Sequence, residues 1–272
     1  MKIFTTRKAQ NSITRLFIFV VVSVLINSCY IEKKLGKNFA DNANNISLLI
    51  LEPDLVIKSN IKNNDSDTSA ISECFNNLQE KALSDAFMDE LKKQLINYRI
   101  NVFTSNRIDT FFTLPSPAYL FNIAQLEIEA YYYPFKEQLV TDSLIYNQEF
   151  LLNAFNLNTW FEFSELNSEK KAEVLFSNFY IKDEIAGNFK VNLFSDEVNY
   201  VYNRKNLTSE DIQFLIKYAG KTNAQYIFNH LVNQYIKDKI GERFNDKYFY
   251  YYDHEKNKIL FLENYTEFKK IK

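Results

Sequence analysis

The chain has 272 residues, 46% of them hydrophobic and 16% aromatic, with 32 Lys and Arg against 34 Asp and Glu. A net charge of −2 supplies no clustered basic surface for a polyanion, so nucleic acid is not an expected partner. Only two cysteines, Cys29 and Cys74, and four scattered glycines are present, which excludes a disulfide-dense scaffold and a glycine-rich phosphate loop.

Lys2, Arg7, Lys8 and Arg15 precede an apolar run, Leu16–Ile26, interrupted only by Ser23. A basic start and an apolar segment too short to span a bilayer predict a secretory signal over residues 1–28. Leu25-Ile26-Asn27-Ser28-Cys29 resembles the lipobox of bacterial lipoproteins. The resemblance implies that Cys29 becomes the mature N-terminus, carrying a diacylglycerol thioether and a further amide-linked chain such as palmitate. Two or more chains anchor a protein stably, since each buried methylene contributes about 0.8 kcal/mol. Cleavage would remove four basic and no acidic residues, taking the net charge from −2 to −6. Cys74 is then left unpaired and is expected to be a small buried helical residue.

Residues 29–45 are polar and lysine-rich and read as a weakly helical, membrane-proximal spacer. Ile46–Leu51 is a continuous aliphatic run that suits a strand buried on both faces, with a bulge or bend expected at Glu52-Pro53. Asn60–Thr68 reads as a loop. Leu83, Phe87, Leu91 and Leu95 recur every four residues, with Met88 and Tyr98 beside them, and predict an amphipathic helix packed on a sheet. Ile100–Phe103 follows as a short strand and Arg107–Phe112 as a turn or short helix.

From Ala118 to Tyr202 the pattern is β. Gln125, Glu127, Glu129 and Tyr131 alternate with Leu126, Ile128, Ala130 and Tyr132, as in a half-buried strand. Phe155, Leu157, Phe161 and Phe163 line one face of the next. Val174–Ile185, Phe189–Phe194 and Val198–Tyr202 complete an expected antiparallel meander with a turn at Gly187-Asn188. Thr208-Ser209-Glu210-Asp211 and Thr222-Asn223-Ala224-Gln225 both fit capping boxes, predicting two helices that stop at Gly220 and near Gly241. Tyr248–Tyr252 and Ile259–Leu262 read as a terminal hairpin. The expected architecture is therefore α+β: a mainly antiparallel, aromatic-rich sheet packed by one N-terminal helix and a C-terminal helix pair. Residues 46–205 are expected to form the sheet domain, with the helical pair and hairpin of 206–272 packed on it.

Chemistry-bearing constellations are few. His230 and His254 are the only histidines. The first lies among apolar residues of a helix, and the second in a solvated turn, Asp253-His254-Glu255, whose alternating side chains point apart. No metal, cofactor or nucleophile–base pairing is expected. Glu127 and Glu129 share a polar strand face, and Glu162 and Glu165 flank Phe163. Tyrosine combines apolar area with a polar tip, so Tyr131, Tyr133, Trp160 and Tyr250 are the candidate partner surface.

EKKLGKNFA, AYLFNIAQLEIEAYYY, LNTWFEF and AQYIFNHLVNQYI resemble a family of Gram-negative envelope lipoproteins, a likeness that implies no activity and no site residues. Two functions follow as expectations. The first is a non-catalytic lipoprotein, anchored in the outer membrane and facing the periplasm, that binds a protein partner in an assembly or transport complex. The second is a ligand- or glycan-binding or hydrolysing module in which Glu127, Glu129 or Glu162 lines a cleft with Trp160.

Overall fold

The aromatic region folds into two long antiparallel strands in the computed structural model, β4 (Ala118–Val140) and β5 (Ile145–Glu165). The structure describes residues 31–61, 75, 78–114, 117–141, 144–192 and 197–271. Cys29, Cys74 and most of the expected loop after Asn60 lie outside the described residues. These residues divide into two compact units, a larger one of Asn44–Tyr226 with 267–271 and a smaller one of 31–43 with Ile227–Thr266.

In the larger unit, β5 pairs with β6 (Glu173–Lys182), and β6 with the short β11 (Lys269–Ile271), all antiparallel. On its other edge β4 pairs in parallel with two consecutive strands, β1 (Ser47–Leu51) and β2 (Leu55–Ile61). A parallel strand β3 (Asn101–Phe103) borders β1, so the aliphatic run sits between two neighbours with Leu48, Leu49 and Ile50 fully buried, as expected. The break at Glu52–Asp54 lies opposite a register shift between Ile123 and Gln125 on β4, and the Asp54 N–H donates to the Ile123 carbonyl at 3.0 Å. The expected bend is thus a paired irregularity in two adjacent strands.

One face of this sheet is covered. Leu126, Ile128 and Ala130 of β4, Phe155, Leu157 and Phe161 of β5, and Leu175 and Phe179 of β6 all point inward and are buried. Helix α1 (31–41) belongs to the smaller unit; α2 (Glu80–Asn97) carries the predicted stripe, with Leu83, Phe87, Leu91 and Leu95 buried. Each such side chain contributes roughly 1.5–3 kcal/mol on burial. A short helix α3 (Ile108–Phe112) buries Phe111 against Leu49, Phe103 and Ala118.

Both C-terminal helical segments are present, but they run on as one helix, α4 (Ser209–Ile240), without a stop at Gly220. Glycine serves there as a close-approach residue, since an added Cβ would lie 2.4 Å from the Phe87 carbonyl oxygen of α2. The Thr208–Asp211 capping box forms as expected: the Asp211 carboxylate accepts from the Thr208 N–H at 2.9 Å and its hydroxyl at 2.7 Å, and Thr208 Oγ1 accepts from the Asp211 N–H. The second box does not form, because Thr222 and Gln225 lie within the helix, where the backbone donors already have partners. Asn223, beside them, is fully buried. The helix ends before Gly241, whose φ of +58° is a left-handed cap.

The expected meander is also corrected. Beyond Lys182 the chain leaves the main sheet to form a separate hairpin, β7 (Glu184–Asn192) and β8 (Glu197–Lys205). Gly187 is mid-strand, opposite Tyr202, with the Tyr200 ring packed over it. The corner is held by Asp183, a buried carboxylate that accepts from the Asn153 N–H at 2.9 Å, the Leu207 N–H at 2.7 Å, and Arg204 Nε and Nη2 at 3.0 and 2.5 Å.

In the smaller unit, residues 31–41, expected to be a weakly helical spacer, form a packed helix with Phe39 and Ala40 buried. Phe39 meets Phe228 and Tyr235 of α4, with ring centroids 5.7 and 5.4 Å apart. The predicted hairpin is present as β9 (Tyr248–Asp253) and β10 (Lys258–Glu263). Asn229 and Asn233, one turn apart on α4, bond the β9 backbone: Asn233 takes the Tyr250 N–H and donates to its carbonyl, and Asn229 takes the Tyr252 N–H. No described helix is long and apolar enough to cross a membrane.

Candidate functional site

On the outer face of the larger unit's sheet, α3 covers the end formed by β3, β1 and the start of β4, Leu152 and Ala154 are buried towards the other end, and the stretch between them gathers most of the residues singled out above. Alternation along each strand and register between strands place them in rows. Leu55, Gln125, Trp160 and Phe176 form one row; Ile57, Glu127, Asn158 and Asn178 the next; Ser59, Glu129, Asn156 and Tyr180 the third. Tyr131, Ala154 and Lys182 continue the series, followed by Tyr133 and Leu152.

Each glutamate of the middle rows accepts hydrogen bonds from neutral donors. Ser59 Oγ and Asn158 Nδ2 donate to the two oxygens of Glu127, both at 3.4 Å, and Asn156 Nδ2 donates to Glu129 at 3.1 Å. Asn178 extends the chain by donating to Asn158 Oδ1 at 2.6 Å. At the end of the face the Asn122 amide donates to Asp54 at 2.9 Å and to Glu162 at 3.3 Å. Four carboxylates are therefore held in place by amides and a hydroxyl.

Aromatic rings flank this polar strip. Trp160 packs on Phe176 with centroids 4.9 Å apart, and the Lys182 ammonium sits 3.8 Å from the centre of the Tyr133 ring. Partial burial raises the Tyr131 phenol above its ordinary value, with Tyr180, Glu129 and Tyr133 adding to the effect. Tyr180 is 59% exposed. Further along the ribbon, Phe150 meets Tyr200 and Tyr202 of the second hairpin at 5.8 and 4.5 Å, and the Tyr200 hydroxyl donates to Glu137. Phe150 stands opposite Phe135, which shares the parity of Tyr131 and Tyr133, so the second hairpin bounds one end of the outer face.

Trp160, Tyr131, Tyr133, Glu127, Glu129 and Glu162 thus share one face. Tyr250 does not join them: it is fully buried in the smaller unit, because the alternation of β9 turns its ring inward while Asn233 holds its backbone. Glu165 follows the inward parity of Phe163, opposite Tyr119. Asn156, Asn158, Asn178, Tyr180 and Lys182 were not singled out from the sequence, although Asn156, Asn158 and Trp160 alternate visibly with Phe155 and Leu157. His230 is buried on α4, and His254 is exposed in the turn, where the Asp253 carboxylate takes the Lys256 N–H and ammonium, both at 3.0 Å. Among the described residues no group of three or more His, Cys, Asp and Glu could hold a metal ion.

The fold is thus a mixed α/β architecture built on a large, mostly antiparallel sheet. No protein-family model matches the chain, and no curated protein matches it in sequence. Among solved structures it is similar to a protein described as a homolog of a neuraminyllactose-binding hemagglutinin from Helicobacter pylori, at 12% identity and a TM-score of 0.35, over 72% of this chain and 92% of that one. It is also similar to a minor lipoprotein from Acinetobacter baumannii, at 10% identity and a TM-score of 0.28, over 66% of this chain and 93% of that one.

Proposed function

We propose that this protein is a non-catalytic envelope lipoprotein, anchored through Cys29 in the outer membrane, whose partly exposed outer sheet face binds a protein partner in an assembly or transport complex. The observation that carries this reading is the partly exposed stretch of the outer sheet face between the α3 cover and the buried Leu152 and Ala154. There the half-buried Trp160 and Tyr131 and the exposed Tyr180 stand beside polar groups already fixed by cross-strand hydrogen bonds. Rigid aromatic and amide groups lose little conformational freedom on binding, which is what a recognition surface requires. The anchor reading rests on the apolar run that ends at Cys29.

Mild cross-linking in intact cells, followed by co-purification, tests both parts. Wild type, Cys29→Ala and a Trp160→Ala/Tyr180→Ala variant are compared. The expected result is partners in fixed ratio with wild type, their loss from the face variant at unchanged thermal stability, and release of Cys29→Ala from the membrane fraction. Recovery of the same partners with the face variant would overturn the surface assignment. A membrane-bound Cys29→Ala protein would overturn the anchor.

A further inference from the structure

Several carboxylates elsewhere on the molecule meet cations: Glu149 has Lys136 at 2.8 Å, Glu173 has Lys270 at 2.8 Å, Asp183 has Arg204, and Asp253 has Lys256 at 3.0 Å. The four on the outer face are set apart by standing together on one stretch of sheet beside aromatic rings. Asp54, Glu127, Glu129 and Glu162 accept only from Asn122, Asn156, Asn158 and Ser59, and none forms an ion pair with a described lysine or arginine. They stand beside rings of which two already take an ammonium, Tyr133 from Lys182 and Phe176 from Lys269 at 5.9 Å. No described lysine or arginine lies over Trp160, Tyr131 or Tyr180.

We propose that the partner docks on this face through an extended segment carrying lysine or arginine side chains. The inference rests on the partner-binding reading above and deepens it. Its argument is complementarity of charge and of period. An extended segment repeats its same-side side chains about every 6.5–7 Å, the spacing at which Glu127 and Glu129 follow one another along β4. Cations of that segment meet carboxylates that have no cation partner among the described residues, and guanidinium groups stack on Trp160, Tyr131 and Tyr180. The carboxylates are already immobilised by their amide donors, so the pairs form without the side-chain ordering that weakens most exposed ion pairs.

The test uses the full-length lipidated protein in uncharged detergent and two fluorescent dodecapeptides, one alternating Arg and Ser, the other Glu and Ser. Fluorescence anisotropy is expected to show binding of the arginine peptide alone, weakening as NaCl rises from about 50 to about 500 mM. Neutralising the face with Asp54→Asn, Glu127→Gln, Glu129→Gln and Glu162→Gln keeps the oxygen acceptors and should weaken binding at least about tenfold. A control with the same change of charge elsewhere, Asp89→Asn, Asp109→Asn, Glu242→Gln and Glu263→Gln, should leave it within about twofold.

Equal losses in both variants would mean attraction to net charge alone and would overturn the proposal. Absent peptide binding, with partner capture still dependent on Trp160 and Tyr180, would overturn the cationic segment and leave the partner surface standing. Absence of both would overturn the two readings together. Binding of a neutral oligosaccharide such as maltohexaose at this face, indifferent to salt, would assign it to glycans and likewise overturn the proposal.

Discussion

Asp183 is the residue whose loss should cost the larger unit most for a single-atom change. Its carboxylate is fully buried and takes four N–H groups: Asn153 from β5, Leu207 ahead of α4, and two from Arg204 of β8. Asp183→Asn keeps the shape but removes the charge and turns an amide donor toward one of those N–H groups. Breaking a buried ion pair costs about 3–5 kcal/mol, and an orphaned backbone donor about 1–3 kcal/mol, so a loss of about 3–5 kcal/mol is expected. Arg204→Met should cost less, since the guanidinium is 27% exposed and its removal leaves the two backbone donors in place. Urea unfolding can be followed at Trp160, the only tryptophan, which lies in the larger unit. Hydrogen exchange should quicken first in β7 and β8, which the corner holds against Phe150. A loss below about 1 kcal/mol for Asp183→Asn, or a larger one for Arg204→Met, would refute the corner as the anchorage of the second hairpin.

Three further outcomes can be checked on the same protein. Gly220→Ala should destabilise by about 1–3 kcal/mol in a melting experiment, although alanine ordinarily improves a helix interior by about 1 kcal/mol, because the new Cβ meets the Phe87 carbonyl at 2.4 Å. Thr159→Val should stabilise by about 1 kcal/mol in urea unfolding, since its hydroxyl is buried without a partner among the described residues; a loss would show that a buried water serves it. The hydroxyl and N–H of Thr208 hold the Asp211 carboxyl below its ordinary value, so the capping box adds stability above the unfolded carboxylate range and loses it as pH falls through the lowered value. Thr208→Val should remove about 1 kcal/mol at neutral pH and make the acid limb of the stability profile shallower; an unchanged acid limb would exclude the box as its source.

Much of the fold was legible because it rests on local periodicity. The four-residue stripe of α2, the aliphatic β1, the alternation of β4 and the hairpin around residues 253–258 each follow from neighbours in sequence. What escaped depends on distant partners. Gly220 looks like a helix stop, and only the approach of Phe87 shows why a glycine sits within a continuous helix. Thr222-Asn223-Ala224-Gln225 matches a capping pattern, yet the helix has no free end there. Asp183 gathers residues 30, 21 and 24 positions away, which no local pattern marks. The candidate face divides the same way: Glu127, Glu129, Tyr131 and Trp160 were visible from parity within single strands, whereas Asn178, Tyr180 and Lys182 joined them only through the register of β6 on β5.

That face owes its composition to one extra residue. On β5 the inward positions keep a single parity from Phe155 to Phe163, whereas on β4 they pass from Tyr119, Phe121 and Ile123 to Leu126, Ile128 and Ala130. The shift between Ile123 and Gln125 is what lets both halves of β4 bury apolar side chains against the same strand. Without it, the inward parity set by Phe121 and Ile123 would carry Gln125, Glu127 and Glu129 into the core and Leu126 and Ile128 into solvent. Pro53 interrupts the neighbouring strand at the same level, freeing the Asp54 carboxylate to reach Asn122 and, through it, Glu162. The irregularity that reconciles the core therefore also assembles the group of amide-held carboxylates, so core packing and the proposed recognition surface are one consequence of the same local sequence.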